Sequence, residues 1–304
     1  MKKVLKVIIG LVCISCIIGG VKNVVKDDKK SEIVSVNSNS DTKNSKKEIS
    51  KDESESEAEQ VATIEEQVLW EVDGLKITAT GIDRDSIWGT KLNILIENNS
   101  DKDVGIGADA LIVNDYMIND LFATSVTAGN KTNDSITLFS SELKAAGIEN
   151  IGKIELYLHT YDTNTFSTQK SSDCITITTS ETVDETNNIN GTTLFEKDGI
   201  KIVGQYVDEN SFWGAAVLLY IENNSDQNVR VNCDDVAING YMVSALGSQE
   251  VYAGKKAISD ITLLSSDLEK NGITSIDEVE TEFRITNDDY KEIANSGKVK
   301  FSTK

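Results

Sequence analysis

The strongest constraint on this chain is an internal repeat. When the sequence is compared with itself at an offset of 125 residues, 36 of the 90 positions from 69 to 158 are identical to their counterparts. Residues 96–101 recur unchanged as residues 221–226. A period of 125 residues exceeds that of solenoid repeats, so each copy is long enough to be a whole domain. The sequence therefore predicts a duplicated domain over residues 64–180 and 192–304.

Apolar and polar residues alternate within each copy, which is typical of half-buried β-strands. In the most informative strand, Trp88, Thr90, Leu92, Ile94 and Ile96 fall on one face. Tight turns separate such runs, and the two hairpin signals that matter most are Asn-Asp at 114–115 and Asn-Gly at 239–240. The pattern, with a turn every 8–12 residues or so, is typical of a β-sandwich.

One short segment of each copy breaks the alternation, at residues 140–147 and 265–272. Serine at the start and glycine at the end predict a helix of one or two turns. In the second copy, Ser266 and Glu269 also have the spacing of a capping box. The fold class predicted is all-β: two tandem Ig-like antiparallel β-sandwiches, each with one short helix, after an N-terminal hydrophobic helix and a disordered linker.

Residues 1–25 read as a signal peptide or membrane anchor, because three lysines precede an uncharged stretch over residues 7–21. Three interpretations are open. The segment is an uncleaved anchor, a signal cleaved after Gly20, or a lipoprotein signal with lipid attached at Cys16. Each places the rest of the chain outside the cytoplasm, either held at the cell membrane or secreted after cleavage.

Residues 26–63 are predicted to form a disordered acidic linker. Lys, Glu, Asp, Ser and Asn dominate this segment, and it contains no aromatic residue. Such a composition buries too little apolar surface to offset the entropy of ordering. The linker would serve as a flexible stalk between the membrane and the repeated domains.

The composition argues against several functions. The net charge is −20, and residues 67–304 hold 19 basic and 38 acidic residues, so nucleic acid is not an expected partner. His159 is the only histidine, its counterpart is Arg284, and we expect it to face solvent on a strand. No catalytic or phosphate-binding motif is present, and the acidic residues at 83–85 match no calcium loop. We therefore expect no enzyme, cofactor or metal site.

Cysteines and aromatic residues are interpreted as structural. Cys174 and Cys233 lie at non-equivalent positions of the two copies, so no disulfide within a domain is possible, and we expect two buried free thiols. Trp88 and Trp213 continue the apolar face of a strand and are predicted to be core residues rather than a glycan platform. Trp70 and Phe195 are likewise predicted to pack in the cores; those positions are equivalent.

The signal or anchor, the acidic linker and the tandem domains with a strand ending at residues 96–101 resemble uncharacterised extracytoplasmic tandem Ig-like-domain proteins of Gram-positive bacteria, anchored or lipoprotein-like. The resemblance implies a surface-exposed, non-catalytic module and transfers no site residues. The function expected is binding or spacing, with a cell-envelope protein or glycan as partner. The alternative is a carbohydrate-binding or cell-wall-associated accessory protein.

Overall fold

The computed structural model describes residues 62–84, 86–119, 121–183, 189–211 and 214–303, all within one compact unit, Gln60–Lys304. The predicted signal or anchor, Cys16 and nearly all of the predicted linker lie outside the described residues. Within the ranges described, no helix is both long enough and apolar enough to cross a membrane.

The described part of the chain is almost entirely β-strand with two short helices, which confirms the all-β prediction. The strands of the first copy are β1 (Gln67–Val72), β2 (Leu75–Asp83), β3 (Gly89–Asn98), β4 (Val104–Val113), β5 (Tyr116–Ile118), β6 (Ala123–Val126), β7 (Lys131–Phe139), β8 (Lys153–Tyr161), β9 (Thr168–Ser171) and β10 (Ile175–Thr178). Those of the second copy are β11 (Thr192–Lys197), β12 (Ile200–Ser211), β13 (Gly214–Asn223), β14 (Val229–Ile238), β15 (Tyr241–Met242), β16 (Ala245–Leu246), β17 (Ser248–Val251), β18 (Lys255–Leu263), β19 (Glu278–Thr286) and β20 (Glu292–Ser302). The helices are α1 (Ser140–Ala145) and α2 (Ser265–Lys270).

The strands form three sheets. The first has the order β1-β2-β3-β7, and the third has the order β15-β14-β19-β20 with β17 also paired to β14. The second sheet runs β10-β8-β4-β5-β18-β13-β12-β11, so it contains strands of both copies. Within the first copy the chain passes from the first sheet to the second after β3, returns for β7, and crosses again for β8.

The predicted hairpin turns are confirmed by their backbone angles. Asn114 and Asp115 have φ of 48° and 68°, and Asn239 and Gly240 have φ of 50° and 84°. Two successive positive φ values are the requirement of a type I′ turn, whose twist matches that of the strands it joins. Local sequence therefore determines these two hairpins.

The predicted face of β3 is also confirmed from Thr90 onward, since Thr90, Leu92, Ile94 and Ile96 are all buried. They contribute to the larger of two apolar clusters, which lies mainly in the first copy. A second cluster fills the second copy, where Phe283 is fully buried. Each repeat thus has an apolar core of its own.

The helices begin at Ser140 and Ser265, as predicted, but the predicted serine caps are wrong. The N-cap residues are Phe139 and Leu264, in extended conformation and without a side-chain capping bond, so neither a serine cap nor the capping box at Ser266 forms. The helix ends agree with expectation, because Gly147 and Gly272 have φ of 68° and 66°, the left-handed conformation that follows many helices.

A buried asparagine explains why residues 96–101 recur unchanged. The side chain of Asn98 is fully buried, and its Nδ2 donates to the carbonyl oxygens of Lys102 at 2.8 Å and Val126 at 2.9 Å. Its Oδ1 accepts from Ser100 N at 3.1 Å and Ser100 Oγ at 2.6 Å. Asn223 makes the same four bonds in the second copy. The amide ties the end of β3 to the end of β6, and all its polar atoms are satisfied.

The two copies are joined by strand pairing that the repeat alone does not predict. β5 of the first copy pairs in parallel with β18 of the second, and Lys256 N donates to Asp115 O at 2.9 Å. The Tyr116 and Tyr220 rings meet edge to face with centroids 6.4 Å apart. Tyr220 also belongs to the apolar cluster of the first copy, so this junction buries apolar surface as well as backbone.

Ion pairs surround the same junction. Lys255 Nζ lies 2.6 Å from Asp115 Oδ1 and 2.5 Å from Glu155 Oε2, and Lys153 Nζ lies 2.8 Å from Asp115 Oδ1. Burial raises the pKa of Asp115, but hydrogen bonds from the two lysines outweigh it and leave that pKa below its usual value. Burial lowers the pKa of Lys255, and bonds to the two carboxylates bring it above its usual value. Asp115 and Lys255 are therefore both charged near neutral pH.

Candidate functional site

The turn between β2 and β3 exposes two large apolar side chains. Ile87 is 89% exposed and Trp88 is 67% exposed, so the prediction that Trp88 is a core residue is wrong. The physical reason is that β3 begins at Gly89. Trp88 belongs to the turn, and the alternation of the strand does not extend to it. We refer to Ile87 and Trp88 as the apolar tip.

Backbone geometry holds the apolar tip in place. Gly89 has φ of 142°, and a Cβ atom there would come within 2.0 Å of Leu138 O, so only glycine fits. Gly89 N donates to Ser86 O at 3.2 Å, and Ser140 N donates to Trp88 O at 3.1 Å. The tip is thus bonded to the start of α1 through its backbone while its side chains face solvent.

The second copy repeats this segment as Ser211, Phe212, Trp213 and Gly214. Phe212 and Trp213 lie outside the described residues, so the core prediction for Trp213 stays a prediction. The other predicted packing residues behave as expected: Phe195 is buried, and Trp70 packs against the core of the first copy.

A groove of about 320 Å³ lies beside the tip, lined in part by Arg84, Gly89, Ser140 and Lys144. Arg84 donates to Glu149 O at 3.2 Å and pairs with Glu181, whose side chain is 7% exposed, at 2.6 Å. In the second copy, Glu209 and Glu269 replace Arg84 and Lys144. Across the described ranges, no three His, Cys, Asp or Glu side chains are grouped so as to hold a metal ion.

His159 lies on a strand, as the sequence predicts, but it has a neighbouring side-chain partner and is mostly covered. It does point outward from β8, but its side chain is only 20% exposed. Its Nδ1 lies 2.9 Å from Asp109 Oδ1, and its ring covers Gly107. Arg284, its counterpart, forms an ion pair at 2.6 Å with Asp234, which is the counterpart of Asp109. In both copies this position therefore holds a basic or imidazole side chain beside an aspartate.

Aromatic side chains form a row on the outer face of β8, which sequence reasoning missed. Tyr157, His159 and Tyr161 alternate along the strand and are partly exposed. The His159 and Tyr161 centroids lie 5.9 Å apart, and Phe166 stacks on Tyr161 at 6.1 Å with an angle of 26° between the rings. Burial raises the pKa of Tyr161, so its hydroxyl stays protonated at neutral pH. We call these four residues the aromatic row.

The two cysteines differ in environment. Cys174 is exposed, so the prediction of a buried thiol is wrong there, because the residue lies in the segment between β9 and β10. Cys233 is partly buried, and burial raises the pKa of its thiol to about 12. Both are free thiols, as predicted.

No model of a known protein family matches the chain, and no curated protein matches it. Among solved structures, the chain is similar to the YadV chaperone, with 9% identity, 70% of this chain and 91% of that chain covered, and a TM-score of 0.22. A protein of unknown function from Porphyromonas gingivalis W83 has 12% identity, 70% and 89% coverage and a TM-score of 0.20. Red sea bream transglutaminase has 10% identity, 76% and 31% coverage and a TM-score of 0.19. At such TM-scores these similarities carry no argument about function.

Proposed function

We propose that this protein is a non-catalytic extracytoplasmic binding module, made of two tandem Ig-like β-sandwiches and displayed from the membrane on a flexible stalk. The observation that carries the proposal is the apolar tip. Its two large side chains face solvent on a backbone that Gly89 and Ser140 hold in place. Exposed apolar groups presented in this way are typical of interaction surfaces, and tryptophan is enriched among residues that dominate binding energy.

A passive spacer explains the tip less well than a binding module does. A spacer gains nothing from two exposed apolar side chains, which lower solubility. The second copy keeps the Ser-x-Trp-Gly pattern with an apolar residue at the variable position, although the residues just before it differ at two of three positions. Both repeats therefore supply the residue types of such a tip, which suits a partner bound through more than one contact.

The partner that fits is a cell-envelope protein with an apolar pocket. The apolar tip would enter that pocket, and the polar side chains beside it, such as Arg84 and Lys144, would contact the rim. The chain would be held at the cell membrane by residues 1–25 or by a lipid at Cys16, or it would be secreted after cleavage. In each case it would meet its partner outside the cytoplasm. The crossing of the chain between sheets after β3, β6 and β7 supports the Ig-like assignment.

The second candidate function is a carbohydrate-binding or cell-wall-associated accessory protein. The aromatic row favours it, because Tyr161 and Phe166 present neighbouring ring faces on an open sheet surface. Aromatic rings combine an apolar face with a polar edge, and sugars offer the complementary surface.

The leading proposal is tested by affinity capture from native envelope extracts with the full-length chain as bait. We expect a discrete protein to bind the wild type and to be lost with Ile87→Ser/Trp88→Ser. The matched control is Leu246→Ser, since Leu246 is 67% exposed like Trp88 but lies away from the tip in sequence. Circular dichroism confirms that each variant is folded. Equal capture by the tip variant and the wild type would refute the proposal.

A further inference from the structure

The rings of the aromatic row lie flat because β4 supplies glycines beneath them. Gly105 pairs with Tyr161 and Gly107 with His159 in the register of β4 and β8. A Cβ atom at Gly105 would come within 2.2 Å of the Tyr161 ring, and one at Gly107 within 2.7 Å of the His159 ring. The rings therefore extend across β4, and Tyr161 OH reaches Thr124 O on β6 at 3.3 Å. The result is an open aromatic surface rather than a cleft.

Phe166 extends this surface from a strained position. Its φ is 54°, a conformation that is unusual for an aromatic residue, and it is 53% exposed. The turn is held by Phe166 N, which donates to Asp162 O at 2.7 Å, and by Asp162 Oδ1, which accepts from Asn164 N and Thr165 N. Strain of this kind persists where surrounding contacts fix it, as these hydrogen bonds do.

The second copy shows that the fold does not require an aromatic surface here. Arg284 takes the place of His159 and pairs with Asp234, and Arg230 takes the place of Gly105 and pairs with Glu250. At the other equivalent positions of this face, Asn232, Glu282 and Thr286 replace Gly107, Tyr157 and Tyr161. The same strands therefore form a charged face in one repeat and an aromatic face in the other. The aromatic row is a property of the first repeat alone.

The chemistry of the aromatic row limits the classes of ligand that it can bind. Small molecules need an enclosed pocket, and proline-rich peptides dock in grooves between aromatic side chains, but these rings lie flat over glycine. An extended sugar chain can lay its C–H faces on such rings. Its hydroxyls can then bond to groups at the ring edges, such as Asp109, whose side chain is 44% exposed. The net charge of −20 repels anionic polymers, which leaves neutral chains.

We propose that the aromatic row binds an extended, neutral glycan strand, with Tyr161 and Phe166 stacking on successive sugar rings and the His159–Asp109 pair bonding to their hydroxyls. The proposal rests on the carbohydrate-binding candidate given above and names its site and ligand class. It does not involve the apolar tip.

The test is calorimetric titration of the full-length chain with chitohexaose and with cellohexaose. We expect at least one of these neutral hexasaccharides to bind, and polygalacturonate, an anionic chain, not to bind. Phe166→Ala and Tyr161→Ala should each weaken binding about tenfold, whereas Tyr161→Phe, which keeps the ring, should stay within about twofold of wild type. Phe166 is exposed, so its variant keeps the test valid even if Tyr161→Ala fails to fold.

The matched control is Tyr290→Ala. Tyr290 is 56% exposed with φ of 60° on the corresponding hairpin of the second copy, where the aromatic row is missing. This variant should bind like wild type. The proposal is overturned if neither hexasaccharide binds, if Phe166→Ala binds as tightly as wild type, or if a proline-rich peptide binds at these residues instead. Envelope-protein capture should be unchanged in Phe166→Ala, so failure here is distinguishable from failure of the apolar tip.

Discussion

Replacing Asn98 with alanine should be among the most destabilising single changes in the first repeat. Asn98 is fully buried, and its amide makes four hydrogen bonds, to Lys102 O, to Val126 O and to two groups of Ser100. Each bond contributes about 1 kcal/mol net, and a buried carbonyl left unpaired adds a further penalty. Part of the lost bonding is recovered from water near Lys102 and Ser100. The expected loss of unfolding free energy is about 3 to 4 kcal/mol.

The measurement is urea unfolding of the full chain, followed by far-UV circular dichroism. Asn223→Ala removes the same four bonds in the second repeat and should have a similar effect. Because the two amides share no bonding partner, the double variant should lose about the sum. Asn99→Ala is the control: the same residue type, one position along the chain, but exposed, and it should stay within about 0.5 kcal/mol of wild type.

Asn98→Asp separates hydrogen bonding from shape. Aspartate has nearly the same size, but its carboxylate accepts and does not donate, so both bonds to the carbonyl oxygens are lost and a charge is buried. We expect it to be at least as destabilising as alanine at pH 7. If Asn98→Ala lost less than about 1 kcal/mol, or no more than Asn99→Ala, the role given to this amide would be wrong.

Two further predictions concern the junction and the thiols. Lys255→Ala should lower the unfolding free energy by about 2 kcal/mol. This loss lies between that typical of a surface ion pair and that of a buried one, because Lys255 is 14% and Asp115 43% exposed. The exposed Lys298→Ala, measured in the same urea titration, should change it little. The pKa of Asp115 is lowered, so the stabilising contribution of Asp115 is present above pH 3.8 and is lost as the pH falls through its lower folded pKa. The destabilisation caused by Lys255→Ala should therefore shrink below pH 3.8. The pKa of Lys255 is raised, so the stabilising contribution of Lys255 is full below pH 10.5 and is lost as the pH rises through its higher folded pKa. A thiol reagent at pH 8 should modify Cys174 quickly and Cys233 slowly, since burial raises the Cys233 pKa to about 12; equal rates by mass spectrometry would contradict this.

Local features were predictable where neighbouring residues alone determine the conformation. The turn at Asn114 and Asp115 follows from residue types that tolerate positive φ, and the buried face of β3 follows from alternation. Alternation failed at Trp88 because one glycine changes the backbone direction there, and the alternating pattern does not show where a strand starts.

The features that the sequence did not predict depend on contacts between segments that are distant in the chain. The aromatic row requires Gly105 and Gly107 to lie opposite Tyr161 and His159, and that register is fixed only when β4 and β8 pair. The alternation of aromatic residues at 157, 159 and 161, read against the two glycines, was the available signal. Asn98 was predicted to end a strand, and its bond to Ser100 N agrees, but its reach to Val126 depends on the loop before β7.

The junction between the copies also bears on whether two molecules can join through the same contact. β5 of the first copy pairs with β18 of the second, and these two strands are not equivalent in the repeat. The strand of the second copy equivalent to β5 is β15, where Tyr241 and Met242 are exposed, so β15 is the edge that would make the same contact with another molecule. In that other molecule the contact would be made by β7, which is the first-copy equivalent of β18. Asn133 of β7 occupies the position equivalent to Ile258 of β18. Joining two molecules this way would remove water from an exposed amide without an apolar gain. Asn133 at this edge therefore disfavours the same contact between two molecules.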